Sequence, residues 1–159
     1  GNVIGLDITG RRAIGNGDAG VLLSNESSLN VIGGPGQYEG NTITGNQSGI
    51  IITQSTNNVV QGNRIGLDFD NNFLGNANWG IEIFTGSQMI GGTDPGEGNV
   101  ICGHKYNGIY IESTSFHNAI RHNRRGGHAA IVLDATDGRF DLREFQRVLF
   151  NSNEFAFVD

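Results

Sequence analysis

The sequence predicts an all-β solenoid: a parallel β-helix of about four to five coils, three short strands per coil, closed by a C-terminal cap. Three observations predict it. Two long segments repeat each other at an offset of 58 to 61 residues. Inside them, three kinds of short aliphatic strand cycle in a fixed order, which is how stacked coils read in sequence. Glycine, at 26 of 159 residues, is more than twice its usual share, without collagen's strict triplet and with only two prolines.

The long repeat is explicit. Gly1-Asn2-Val3-Ile4-Gly5-Leu6-Asp7 recurs as Gly62-Asn63-Arg64-Ile65-Gly66-Leu67-Asp68, and Ala13-Ile14-Gly15-Asn16 as Phe73-Leu74-Gly75-Asn76. Strands of the first kind start at Gly20, Gly49, Gly80 and Gly108. Those of the second start at Asn30, Asn58, Gln88 and Asn118, and those of the third at Asn2, Asn41, Asn63, Asn99 and Asn123. One cycle takes 29, 31 and 28 residues in turn, so each cycle is one triangular coil. Coils then stack at about 4.8 Å, burying their aliphatics against the coils above and below. Cores such as Ile50-Ile51-Ile52 and Ile109-Tyr110-Ile111 suit a pleated, half-buried surface. Asparagines recur at equivalent corners and are expected to stack in ladders, since Asn tolerates left-handed dihedrals and bonds to backbone.

Composition excludes several function classes. Cys102 is the single cysteine, so no intrachain disulfide framework exists. No apolar run approaches the ~20 residues of a membrane helix. A net charge of −6 argues against a nucleic-acid partner. The chain opens without Met, inside a strand of the third kind and with no cap. An upstream segment, or like subunits stacking end to end, is the expectation there.

After Asn123 the composition changes. Residues 1–123 hold 23 of the 26 glycines, and five of the nine phenylalanines lie in the last 20 residues. Ala130-Ile131-Val132-Leu133 reads as one more strand of the first kind, which sets the β-helix at 1–133 and the cap at 134–159. In the cap, Asp141-Leu142-Arg143-Glu144 reads as a capping box. Leu142, Phe145, Val148 and Leu149 follow at helical spacing, so a short amphipathic helix is expected, then Phe155-Ala156-Phe157-Val158 as an extended tail. A solenoid end exposes strand edges, which such a cap would cover.

Taken together, the Gly-Asn-x-Ile-Gly, Gly-Ile-x-Ile and Asn-x-Ile-Gly-Gly units resemble the right-handed parallel β-helix repeats of the pectin-lyase-like superfamily, in the form common in large bacterial secreted and surface proteins. The resemblance covers about residues 1–125. It implies an extracellular or cell-surface location and a carbohydrate partner.

Candidate chemistry lies on loops. Two long ones, Gly5 to Ala19 and Gly66 to Trp79, leave one edge of alternate coils. Asp7 and Asp68 hold matching positions in them, near the ~6.5–9.5 Å separation of an inverting carboxylate pair. The competing reading makes both the Asx residue of a repeated Gly-Leu-Asp turn. Asp68 and Asp70 are candidate Ca²⁺ ligands. Glu39, Asp94 and Glu97, on a second pair of matching loops, are either cation ligands or turn carboxylates. His104, His117, Arg121, His122, Arg124, Arg125 and His128 fall within 25 residues of one another. Arginines of this kind read carboxylates in bidentate fashion. Lyases of the superfamily use a basic residue to take the proton α to a uronate carboxylate, often with Ca²⁺, which makes Arg121 and His122 the candidates here. Trp79, Phe69, Tyr38 and Tyr106 are candidate sugar-stacking aromatics. Asn25-Glu26-Ser27 and Asn46-Gln47-Ser48 are glycosylation sequons.

No hydrolase aspartate set or lyase arginine motif of the superfamily matches residue by residue. The expected function is therefore a non-catalytic extracellular β-helix module, adhesin-like or fibre-forming, with carbohydrate affinity. The alternative is a polysaccharide lyase or glycoside hydrolase acting on a uronic-acid polymer.

Overall fold

The computed structural model describes residues 1–126, 131–133 and 149–151, and they form a parallel β-solenoid. Its strands are β1 (Val3–Ile4), β2 (Ala19–Leu23), β3 (Val31–Gly33), β4 (Thr42–Ile43), β5 (Ser48–Ile52), β6 (Val59–Gln61), β7 (Arg64–Ile65) and β8 (Ile81–Ile83). They continue as β9 (Met89–Gly91), β10 (Val100–Cys102), β11 (Ile109–Ile111), β12 (Ala119–Arg121), β13 (Arg124–Gly126), β14 (Ile131–Leu133) and β15 (Leu149–Asn151). Every third strand joins the same sheet. The first sheet is β2-β5-β8-β11-β14, the second β3-β6-β9-β12-β15, and the third β1-β4-β7-β10-β13. All neighbours within them are parallel.

The register explains the core. Ile50, Ile81 and Ile109 are paired along the first sheet, as are Ile52, Ile83 and Ile111. Ile43, Ile65 and Ile101 align in the third sheet, and Ile32, Val60, Ile90 and Ile120 in the second. These residues form one buried cluster. Each level of the core is thus filled by β-branched side chains sitting above their own counterparts, which keep one preferred rotamer and pack well on a pleat.

The corners are held by three amide ladders. Asn2, Asn41, Asn63, Asn99 and Asn123 form one: each backbone N–H donates to the Oδ1 of the next, at 2.9 to 3.0 Å. Asn30, Asn58, Gln88 and Asn118 form the second in the same way. Asn16, Asn46, Asn76 and His104 form the third. Asn46 is therefore buried, and the sequon at that position is closed by folding.

The residue ahead of each rung in the second ladder takes a left-handed backbone. Leu29, Asn57, Ser87 and His117 all have φ between 57° and 62°. Leucine is the poorest fit of the four, because every Cβ crowds the carbonyl there and leucine has no polar group to offset it with a local hydrogen bond. Leu29 is also 80% exposed, so its side chain gains nothing from packing. Leu29→Asn is expected to raise stability by about 0.5–1 kcal/mol, read as a higher urea midpoint with an unchanged m-value. An unchanged or lower midpoint would contradict this account of the corner.

The tail differs from expectation at one point. Leu149, which the helical spacing places in the amphipathic helix, lies in β15 and pairs with Ala119 of β12. The rest of the expected cap falls outside the described residues. Those described contain no helix.

Candidate functional site

The two long loops are built alike. Each is pinched at its base, Ile14 N–H to the Gly5 carbonyl at 2.9 Å and Leu74 N–H to the Gly66 carbonyl at 3.0 Å. An antiparallel bridge follows in each, Leu6 to Ala13 and Leu67 to Phe73. The carboxylates lie just inside. Asp7 Oδ1 accepts the Thr9 hydroxyl at 2.7 Å and the Thr9 N–H at 3.2 Å. Asp68 Oδ1 accepts the Asn72 and Asp70 N–H groups at 2.8 and 2.9 Å, and its Oδ2 accepts Asn72 Nδ2 at 2.9 Å. Hydrogen bonds from the Thr9 and Asn72 side chains lead in holding the two carboxyls below the usual range. Both are thus ionised turn residues, turned onto the loop backbone that they organise.

The loops also dock on each other across the coil between them. Phe69 N–H donates to the Gly10 carbonyl at 3.0 Å. A Cβ on Gly10, whose φ is +69°, would stand 2.1 Å from the Phe69 ring, so only glycine permits this approach. Arg11 forks onto Asp70, with Nε to Oδ2 at 2.5 Å and Nη2 to Oδ1 at 3.1 Å. Asp70 thus pairs with Arg11, while Asp68 bonds within its own loop. Among the described residues no group of three or more His, Cys, Asp or Glu gathers where a metal ion could sit. Glu39 and Glu97 each accept an N–H inside their own turns, from Gly36 and Asp94.

Two of the four expected aromatics do meet. Trp79 lies 5.3 Å from Tyr106, centroid to centroid, and 5.6 Å from Tyr110. Tyr110 in turn lies 5.9 Å from Phe84. All four rings are tilted against each other, the favourable arrangement for their quadrupoles. Lys105 Nζ sits 4.9 Å from the Tyr106 centroid. The strip spans two coils and lies on the outer side of the first sheet, because the neighbours of Tyr110 in β11, Ile109 and Ile111, point into the core. Phe69 belongs to the docked loops, and Tyr38 stands exposed on a turn far along the chain from the strip.

Glu82 pairs in register with Tyr110 and shares its face. It is a buried carboxylate within this aromatic neighbourhood. Burial raises its pKa, a hydrogen bond with Ser48 pulls the other way, and the nearby Asp18 charge raises it further. Neither Glu82 nor Tyr110 was legible as a site residue. Both sit at the middle of strand triplets, Ile81-Glu82-Ile83 and Ile109-Tyr110-Ile111, and only the strict alternation of those triplets hints that they face outward.

Among the described residues, the histidines and arginines fall on different corners and sheets. His104 is a rung of the third ladder, its Nδ1 accepting the Asn76 N–H at 3.1 Å. Burial lowers its pKa to about 4. His117 and His122 are left-handed corner residues, and His122 Nδ1 lies 2.7 Å from the Gly92 carbonyl oxygen. Arg121 ends β12 in the second sheet, while Arg124 starts β13 in the third. His128 and the Arg125 side chain fall outside the described residues.

The fold and these sites define a class, a parallel β-solenoid with an aromatic outer strip and docked edge loops. The chain matches no family model, no curated protein and no solved structure.

Proposed function

We propose that this chain is a non-catalytic β-solenoid module that binds a polysaccharide along the strip formed by Trp79, Tyr106, Tyr110 and Phe84. The observation that carries the reading is that contact of four rings over two coils. Sugar rings present apolar C–H faces that stack on such surfaces, and a rigid sheet supplies the surface at little entropic cost. The kinship proposed with pectin-lyase-like repeats, and an extracellular or surface location, belong to the same reading. So does the engagement of Asp7 and Asp68 in their own turns, which leaves the loop pair without a free acid and base.

A second reading, hydrolysis or elimination on a uronic-acid polymer, has one observation in its favour. Glu82 is a carboxyl group raised by burial and by the Asp18 charge, beside the same rings.

Trp79 is the only tryptophan, so its fluorescence reports the strip directly. Titration with neutral and acidic polysaccharides is expected to give a saturable change in that emission with at least one polymer. Tyr106→Ala is expected to weaken binding about tenfold while leaving the emission measurable. No response to any polymer would overturn the binding reading. Release of reducing ends or of unsaturated sugars, lost in Glu82→Gln, would replace it with the enzyme.

A further inference from the structure

We propose that a groove on the outer face of the third sheet, between Arg64 and Arg124, binds a tetrahedral oxyanion ester carried on a ring. The register brings the two arginines together although they are sixty positions apart in sequence. Val100 pairs with Arg64 on one side and with Arg124 on the other. The next residue in the first two strands, Ile65 and Ile101, is fully buried in the core. The alternation of a strand therefore turns Arg64 and Val100 outward, and Arg124, exposed and in register with them, flanks Val100 from the other side. Two strand spacings, about 10 Å, separate the arginine backbones, a gap that two long side chains span from opposite sides.

A groove of about 380 Å³ lies between them, with Val100 in its floor and Leu67, Asn71 and Phe73 contributed by the long loop. That volume falls in the range of small-ligand sites. Phe73 is 63% exposed, yet its backbone is fixed by the bridge to Leu67. It is a positioned apolar wall rather than a loose side chain. Arg64 is fixed as well, because Nη2 donates to the Asp68 carbonyl at 2.9 Å. That bond uses one of five donors and leaves the charge unneutralised.

Charge completes the argument. The chain carries a net charge of −6, yet among the described residues no carboxylate lines this groove. The loop's acids are already committed, Asp68 to the loop N–H groups and Asp70 to Arg11. Two guanidinium forks facing one space suit an anion with oxygens on several edges. A carboxylate offers one such edge, whereas a phosphate or sulfate ester offers more. The ester's ring would lie against Phe73. This site is on a different sheet from the aromatic strip, so either can fail without the other.

The test is calorimetric titration of the whole chain, at low salt, with phenyl phosphate, phenyl sulfate, inorganic phosphate and benzoate. At least one phenyl ester is expected to bind saturably, and more tightly than benzoate or inorganic phosphate. The tighter ester identifies the source as a phosphomonoester or a sulfate ester. Arg124→Gln is expected to weaken binding about tenfold with the urea midpoint unchanged. Arg64→Gln should do the same, and Phe73→Ala should reduce the ester to the affinity of the free anion. Absence of saturable binding, benzoate binding as tightly as the esters, or full affinity in Arg124→Gln would each overturn the proposal.

Discussion

Asn63→Ala is expected to cost about 3–4 kcal/mol, while Asn2→Ala, two rungs away in the same ladder, should cost under about 1 kcal/mol. The residue type is identical and the difference is position. Asn63 Oδ1 accepts both the N–H and the Nδ2 of Asn41, at 3.0 and 2.9 Å. Its own Nδ2 donates to the Ile32 carbonyl at 2.8 Å, the Gln61 carbonyl at 3.0 Å and Asn99 Oδ1 at 3.0 Å. Asn63 is buried, so truncation strands a backbone N–H and several acceptors away from water. Asn2 is exposed and donates its side chain only to Asn41 Oδ1, at 3.0 Å. Urea denaturation of the two variants checks this, provided the m-value is unchanged. Equal losses would show that the ladders do not carry the corner.

The second large effect is a dependence on pH. His104 replaces the asparagine of its ladder, its Nδ1 accepting an N–H, and it stays neutral because burial in that corner disfavours the charged ring. Its folded pKa of about 4 lies below the ordinary 6.5. Between those values the unfolded chain takes up a proton that the folded chain refuses. The stability is therefore fully present above pH 6.5, is lost as the pH falls, and is gone near pH 4. The span corresponds to about 3 kcal/mol. Glu82 acts in the opposite sense, since its raised pKa favours the folded state as the medium becomes acid. Comparison with His104→Asn separates the two. Asn already serves at the matching positions 46 and 76, so the variant keeps the ladder. Its stability should fall less between pH 7 and pH 4 than that of the parent chain. Parallel pH profiles would contradict the buried, neutral histidine.

Most of the fold was legible because the coil writes its geometry into the chain. Strand kinds recur in order, and the core stacks Ile on Ile, so the register of the first sheet can be read from Gly49, Gly80 and Gly108 alone. The corner asparagines were legible for the same reason. The sites were less so. His104 reads as one of several clustered histidines until the coil path shows it beneath Asn76. Arg64 and Arg124 each follow a corner asparagine, Asn63 and Asn123, but the side chain at that place varies from coil to coil, and only cross-coil register shows the two arginines flanking Val100. Asp7 and Asp68 are the reverse case. Their matched positions imply a shared task, and each has one, but it is the closing of its own loop. In a repeat, symmetry in sequence tracks what the scaffold needs, while chemistry specific to one place sits where the symmetry lapses.

The pinched bases of the two long loops bear on how this scaffold can change. Gly15 stacks on Gly45, and Gly75 on Gly103, so the path of the coil resumes after each loop as though residues 6–14 and 67–74 were not there. Leu6 and Leu67 are buried, and Ala13 and Phe73 stand over the corner glycines below, so it is the residues between these ends that the core and the corner do not read. Such segments are cassettes. They can be lengthened, exchanged or moved to the short corner at Gly45-Asn46 with the backbone on either side already in place, so new binding surfaces can arise here without the solenoid having to be refolded around them.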